Sequence, residues 1–147
     1  MKMIKIDKLG PKIDKAEITS LENALESSLP DDYRQFLMKY NGGTCSPDIV
    51  DIEGFSESPT DIQVFFGIRR SVASSDLSWN LRLVRIRYSS HGILPIACDS
   101  GGNFFCLRKK NNVFDISYVD IKHTPVKNYY VARDFSAFLD KIRLWKD

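Results

Sequence analysis

The string Asp99-Ser100-Gly101-Gly102 has the residue types of a nucleophilic serine held in a tight turn. Such a serine needs a histidine base within reach, and the base needs a carboxylate to orient it. The chain has 2 histidines, His91 before Ser100 and His123 after it. Serine proteases that carry this string place Gly where Cys98 stands, and a double-barrel protease needs a longer chain than 147 residues. The run Asp99 to Asn103 therefore reads as a hairpin turn, since Asp, Asn and Gly tolerate positive φ. A cysteine nucleophile would require Cys45, Cys98 or Cys106 beside His91 or His123. Cys98 and Cys106 fall on apolar segments, where a thiol has a raised pKa and low reactivity. The 3 cysteines lack C-x-x-C spacing, and neither histidine has a second ligand at a metal-binding interval. There is no G-x-S-x-G elbow and no Walker A motif. The expectation is a non-enzyme with no cofactor and no metal, whose thiols are small buried hydrophobes in a reducing cytosol.

Charge is more informative than any of these strings. Between Cys45 and Ile62 stand Asp48, Asp51, Glu53, Glu57 and Asp61, with no Lys or Arg. Between Arg69 and Arg87 stand Arg69, Arg70, Arg82, Arg85 and Arg87, against Asp76 alone. The whole chain is close to neutral, with 21 Lys plus Arg, 19 Asp plus Glu and a net charge of +2. That balance is too weak for a nucleic-acid binder by charge alone. Arg85, Arg87 and Tyr88 mix charge with an aromatic as a phosphate-binding stripe would. The acidic stretch beside them counts against direct nucleic-acid binding. Three readings of the zones stay open: solvated surfaces, zones that face each other within the fold, or an acidic face for a basic partner. Complementary charge speeds association and rejects wrong partners.

Trp79 and the pair Tyr129-Tyr130 are of the types favoured as interface anchors. Trp79 goes to the core if its segment is helical, and Tyr129-Tyr130 lie in a loop-like stretch with at least one ring exposed. The candidate partner-binding set is Asp48, Asp51, Glu53, Glu57, Asp61, Trp79, Tyr129 and Tyr130.

The elements that must position these residues can be read from caps and periodicity. Asp14 and Glu17 have capping-box spacing, and Ile18, Leu21 and Leu25 follow on one face. Leu29-Pro30 interrupts that helix. Pro30, Asp31 and Asp32 then suit the start of a second, because a missing N–H costs nothing there and acids favour that end of the dipole. Tyr33, Phe36, Leu37 and Tyr40 form its stripe, and Asn41-Gly42-Gly43 stops it. Cys45 to Asp61 reads as a polar loop with one short strand at Ile49 to Ile52, and Ile62 to Ile68 as a buried strand. Ser75 to Tyr88 fits both periods, and the longer helical fit is preferred with Ser75 as cap. Strands follow at Ile93 to Cys98, opened by His91-Gly92, at Phe104 to Arg108 and at Val113 to Val119. Asp120 to Tyr130 reads as a loop, and Asp134 or Ser136 opens a last helix. This order predicts one α+β domain over residues 1–147. An antiparallel meander would carry the N-terminal helix pair and the C-terminal helix against one face.

Met1 to Gly10 alternates Lys with apolar residues and has neither an apolar h-region nor a small-residue cleavage site. The expectation is a cytoplasmic protein without a secretory signal. No apolar run approaches the roughly 20 residues of a membrane span.

Three stretches together resemble the SUKH superfamily, the Smi-Knr type. They are Leu29-Pro30-Asp31-Asp32-Tyr33 with Phe36-Leu37 and Asn41-Gly42-Gly43; Ile93 to Asp99 with Gly101-Gly102-Asn103; and Ala132 to Leu139. They occur in family order across nearly the whole chain. The resemblance implies a small α+β domain without cofactor or reaction. It also implies a protein toxin domain as partner, neutralised by binding; separately, the chain is expected to be a monomer or weak homodimer. Fungal members, which regulate cell-wall synthesis, imply a regulatory scaffold as the alternative.

Overall fold

Asp14 opens the first helix, α1 (Lys15–Leu25), by a reciprocal cap. Its carboxylate accepts from the Glu17 N–H at 2.9 Å, and the Glu17 carboxylate accepts from the Asp14 N–H at 3.3 Å. The computed structural model describes residues 4–88 and 92–146. His91, weighed above as a base and as a strand opener, lies outside the described residues, as do Met1, Lys2 and Met3.

The second helix, α2 (Asp31–Tyr40), follows Pro30 and ends at Asn41, whose φ of 51° is left-handed. Asn41 is buried and fully used. Its Nδ2 donates to the carbonyls of Pro11 at 2.9 Å and Ile68 at 2.8 Å, and its Oδ1 accepts from the Ile68 N–H at 2.7 Å. One side chain thus ties the N-terminal segment and the stretch after Phe66 to the end of α2. Gly67 must be glycine here, because a Cβ would sit 2.1 Å from the Asn41 carbonyl oxygen.

The main sheet has the order β5-β6-β7-β8-β9, from β5 (Val64–Phe65), β6 (Ile93–Cys98), β7 (Phe104–Lys110), β8 (Val113–Asp120) and β9 (Lys127–Ala132). Every pairing is antiparallel. Two small ribbons flank it: β1 (Lys5–Asp7) with β2 (Thr44–Ser46), and β3 (Ile49–Val50) with β4 (Thr60–Asp61). Among the described residues no helix is long and apolar enough to cross a membrane.

Four expectations need correction. The run Asp120 to Tyr130 is not all loop: Lys127–Ala132 is a strand, with Tyr130 opposite Ser117. Its pairing partner, rather than its own weak alternation, makes it one. In Ile62 to Ile68 only Val64–Phe65 is strand, since Phe66 N–H reaches Ile96 O and Gly67 N–H turns away to Ser75 O. The stretch Cys45 to Asp61 holds buried Val50, Ile52 and Phe55 and is not merely a polar loop. The third helix, α3 (Leu77–Tyr88), is capped by Asp76 rather than Ser75. The Asp76 carboxylate accepts from the Trp79 N–H at 3.1 Å, and Ser75 closes a preceding 3-10 turn. Asp134, not Ser136, caps α4 (Phe135–Lys141), accepting from the Ala137 N–H at 2.8 Å.

Phe65, Ala97, Phe105 and Tyr118 oppose one another in register and share one face of the sheet. Rings from α2 and α4 cover that face: Phe36 lies 5.0 Å from Phe65, and Phe138 lies 5.2 Å from Phe105. The opposite row includes Val64, Cys98 and Phe104, and Trp79 and Asn80 of α3 share a groove with those three. Helices therefore meet both rows of the sheet rather than one.

Asn41→Ala is expected to lower stability by roughly 3 kcal/mol in urea unfolding. It strands the Ile68 N–H and two carbonyls, at about 1–3 kcal/mol for an unsatisfied buried group, and places Ala at positive φ.

Candidate functional site

The turn that resembled a nucleophile site is a structural knot. Asp99 is 3% exposed. Its Oδ2 accepts from the Tyr118 hydroxyl and from Thr60 Oγ1 at 2.7 Å, and its Oδ1 accepts from the Asn103 N–H at 2.8 Å. Asn103 Nδ2 donates to the Tyr118 oxygen at 3.0 Å, and Asn103 Oδ1 accepts from the Ile121 N–H at 3.1 Å. Burial, and then the bond to Asp99, pushes the Tyr118 phenol up from its ordinary pKa. Ser100 turns outward and donates through both its hydroxyl and its N–H to Asp61. His123 Nδ1 is 2.8 Å from the Pro125 carbonyl, so as the Nδ1–H tautomer it donates locally. Ser100 thus meets a carboxylate where a nucleophile needs an imidazole.

The thiols are all raised in pKa for a common reason. Burial pushes Cys45 up to about 12 and Cys98 up to about 11, with nearby carboxylates adding to both, and burial alone raises Cys106. Asp48 and Asp61 act on Cys45, and Asp99 and Asp61 on Cys98. Among the described residues no group of three or more His, Cys, Asp or Glu is placed to hold a metal ion.

The candidate partner-binding residues separate into two places. Asp51, Glu53 and Tyr130 meet in a groove of about 290 Å³, which Ile52, Ser58, Val131 and Lys141 complete. Asp51 accepts from Arg143 Nε at 2.7 Å and Nη2 at 2.8 Å, and that guanidinium holds its carboxyl below the usual range. Arg143 also pairs its backbone with Ile49, at 3.0 and 2.8 Å. Tyr130 is 56% exposed. Tyr129 is half-buried instead, with its ring 5.4 Å from Phe55. Glu53 and Glu57 are exposed. Asp48 is half-buried, and its carbonyl accepts from the Ile62 N–H at 2.8 Å.

Asp61 is committed to Ser100 and lies beside a second groove of about 240 Å³. That groove is lined by Trp79, Ser100, Gly102 and Cys98 among others. Trp79 is 37% exposed, so its helix is real but the ring lies at the surface rather than in the core. Among the described residues no ion pair joins the two charge zones. Arg69 pairs with Glu17 at 2.5 Å, and Arg70 donates to the carbonyls of Lys8 and Asn41.

Sequence reasoning missed Lys141 and Val131, which line the acidic groove, and Arg143, which bonds to Asp51. Arg143 sits 92 residues from Asp51 along the chain, and no local pattern connects them.

A family model described as the SMI1 / KNR4 family (SUKH-1) matches residues 12–141 of this chain. No curated protein matches it.

Three outcomes follow from this geometry. Asp99→Ala is expected to cost about 3 kcal/mol or more in urea unfolding, because it strands several buried donors. Ser100→Ala, in the exposed turn, is expected to cost within about 1 kcal/mol. The native thiols are expected to react with a disulfide reagent at pH 8 at least tenfold more slowly than in denaturant, with the rate rising as pH rises, because thiolate is the reactive form.

Proposed function

Since the chain belongs to the SMI1 / KNR4 family (SUKH-1), we propose that it is a non-catalytic immunity protein that binds one toxin domain and occludes its active site. The observation that carries this reading is the meeting of Asp51, Glu53 and exposed Tyr130 on one concave surface. Lys141 and Arg143 offset part of the charge there, so Glu53 and neighbouring Glu57 supply the uncompensated acid. A toxin that cuts nucleic acid needs a basic substrate groove, and an acidic surface with an aromatic anchor complements one. Inhibition is then steric and electrostatic, with no covalent step. The protein works in the cytoplasm, where its three thiols stay reduced, as a single domain and a monomer or weak homodimer.

The alternative is a regulatory scaffold. The separation of the Trp79 groove from the acidic groove favours it, because two surfaces can hold two partners.

Affinity capture of the tagged protein from its source lysate, read by mass spectrometry, separates the two. The expected result is one dominant partner with a C-terminal toxin domain. Reversing Asp51 and Glu53 together to Lys is expected to weaken that complex at least tenfold and leave the fold intact, since exposed ion pairs contribute little to stability. A set of kinases or cell-wall enzymes, or no stable partner, would move the assignment to the scaffold.

A further inference from the structure

We propose that the outer edge of β9 takes up an extended segment of the partner as a sixth strand, with a Lys or Arg of that segment opposite Glu53. The proposal rests on the protein-binding reading above for the kind of partner, and on the sheet for its geometry.

The fold covers two of its other strand edges. Gly43 covers the outer edge of β5, with Gly43 N–H to Phe65 O at 3.0 Å and Phe65 N–H to Gly43 O at 2.7 Å. Arg143 covers β3 through its two bonds with Ile49. β9 is treated differently. Among the described residues it makes no backbone hydrogen bond beyond its ladder with β8, and no side chain bonds to its backbone. In an antiparallel pair, alternate N–H and C=O groups of an edge strand point away from the partner. A row of such groups is a template for another strand. Along this strand Lys127, Asn128 and Tyr130 are exposed, Tyr129 is half-buried, and Val131 and Ala132 are buried, so its first part is the open one. Lys127, of the type that guards edges, stands at the start of the strand rather than its middle.

The acidic groove lies along this edge. Tyr130 and Val131 line it together with Lys141 of α4, and no residue of β8 does, so it lies at the β9 margin of the sheet. Its other wall is the loop carrying Asp51, Ile52, Glu53 and Ser58. Strand addition draws affinity from the main chain and specificity from alternate side chains. Here the incoming strand would set a basic side chain against Glu53, whose charge no described residue pairs, and an apolar or aromatic one against Tyr130.

The test uses capped ten-residue peptides on an alternating Thr/Val framework, with Arg, Gln or Glu at the centre. Affinity is read by fluorescence anisotropy, and amide exchange by NMR on the intact labelled protein. The Arg peptide is expected to bind at least tenfold more tightly than the Glu peptide and to slow exchange at residues 127–130. Glu53→Gln is expected to weaken it at least fivefold. No binding, equal binding of the three peptides, or protection confined to α3 would each overturn strand addition. If a toxin partner captured from lysate protected α3 instead, strand addition would fall while the immunity reading stood. If the Arg peptide behaved as expected and no toxin partner existed, the reverse would hold.

Discussion

A carboxylate at 3% exposure has to be surrounded by donors, and the fold around Asp99 is built to supply them. Thr60 comes from β4, Asn103 from the far side of the hairpin turn and Tyr118 from β8. None of these segments can move without leaving a buried polar group unpaired. The Tyr118 ring, fixed by its hydroxyl, packs 5.2 Å from Phe105 in the core and 5.1 Å from Phe55 in the acidic loop. The position of that loop, and so of the groove it lines, depends on a bond made within the sheet.

Asn41 does similar work at the other end. It ends α2 and bonds across to Pro11 and Ile68. Both residues belong to strings that look like turn punctuation, N-G-G and D-S-G-G-N. The glycines let the backbone come close, and the polar side chain collects the groups that this approach buries. Such strings carry information about a fold because they record tertiary contacts as well as local shape.

That explains what could be read in advance. α1, α2 and α4 were legible because each has a cap and an apolar stripe within one short window. β6, β7 and β8 were legible from apolar runs separated by turn residues. β9 was not, since Lys127 and Asn128 break its pattern and its partner defines it. In the site, charge segregation and residue type picked out Asp51, Glu53 and Tyr130. They also picked out Asp61, which the hairpin consumes, and Trp79, which lies at another groove. Composition marks a charged stretch but does not say which charges the fold will use. Arg143 and Lys141 were invisible because only the return of the chain after α4 brings them to Asp51 and its groove.

The acidic loop is clamped at both ends and exposes a few side chains between them. Thr60 and Asp61 are held by the hairpin, Ile49 and Asp51 by Arg143, and Ile52 and Phe55 point inward between them. Glu53, Ser56 and Glu57 face solvent. Substitutions at those three positions change the charge and shape of the surface and leave the scaffold's stability nearly untouched. Antibody hypervariable loops use the same division between frame and tip. On the reading proposed above, specificity can change there one residue at a time without refolding the domain.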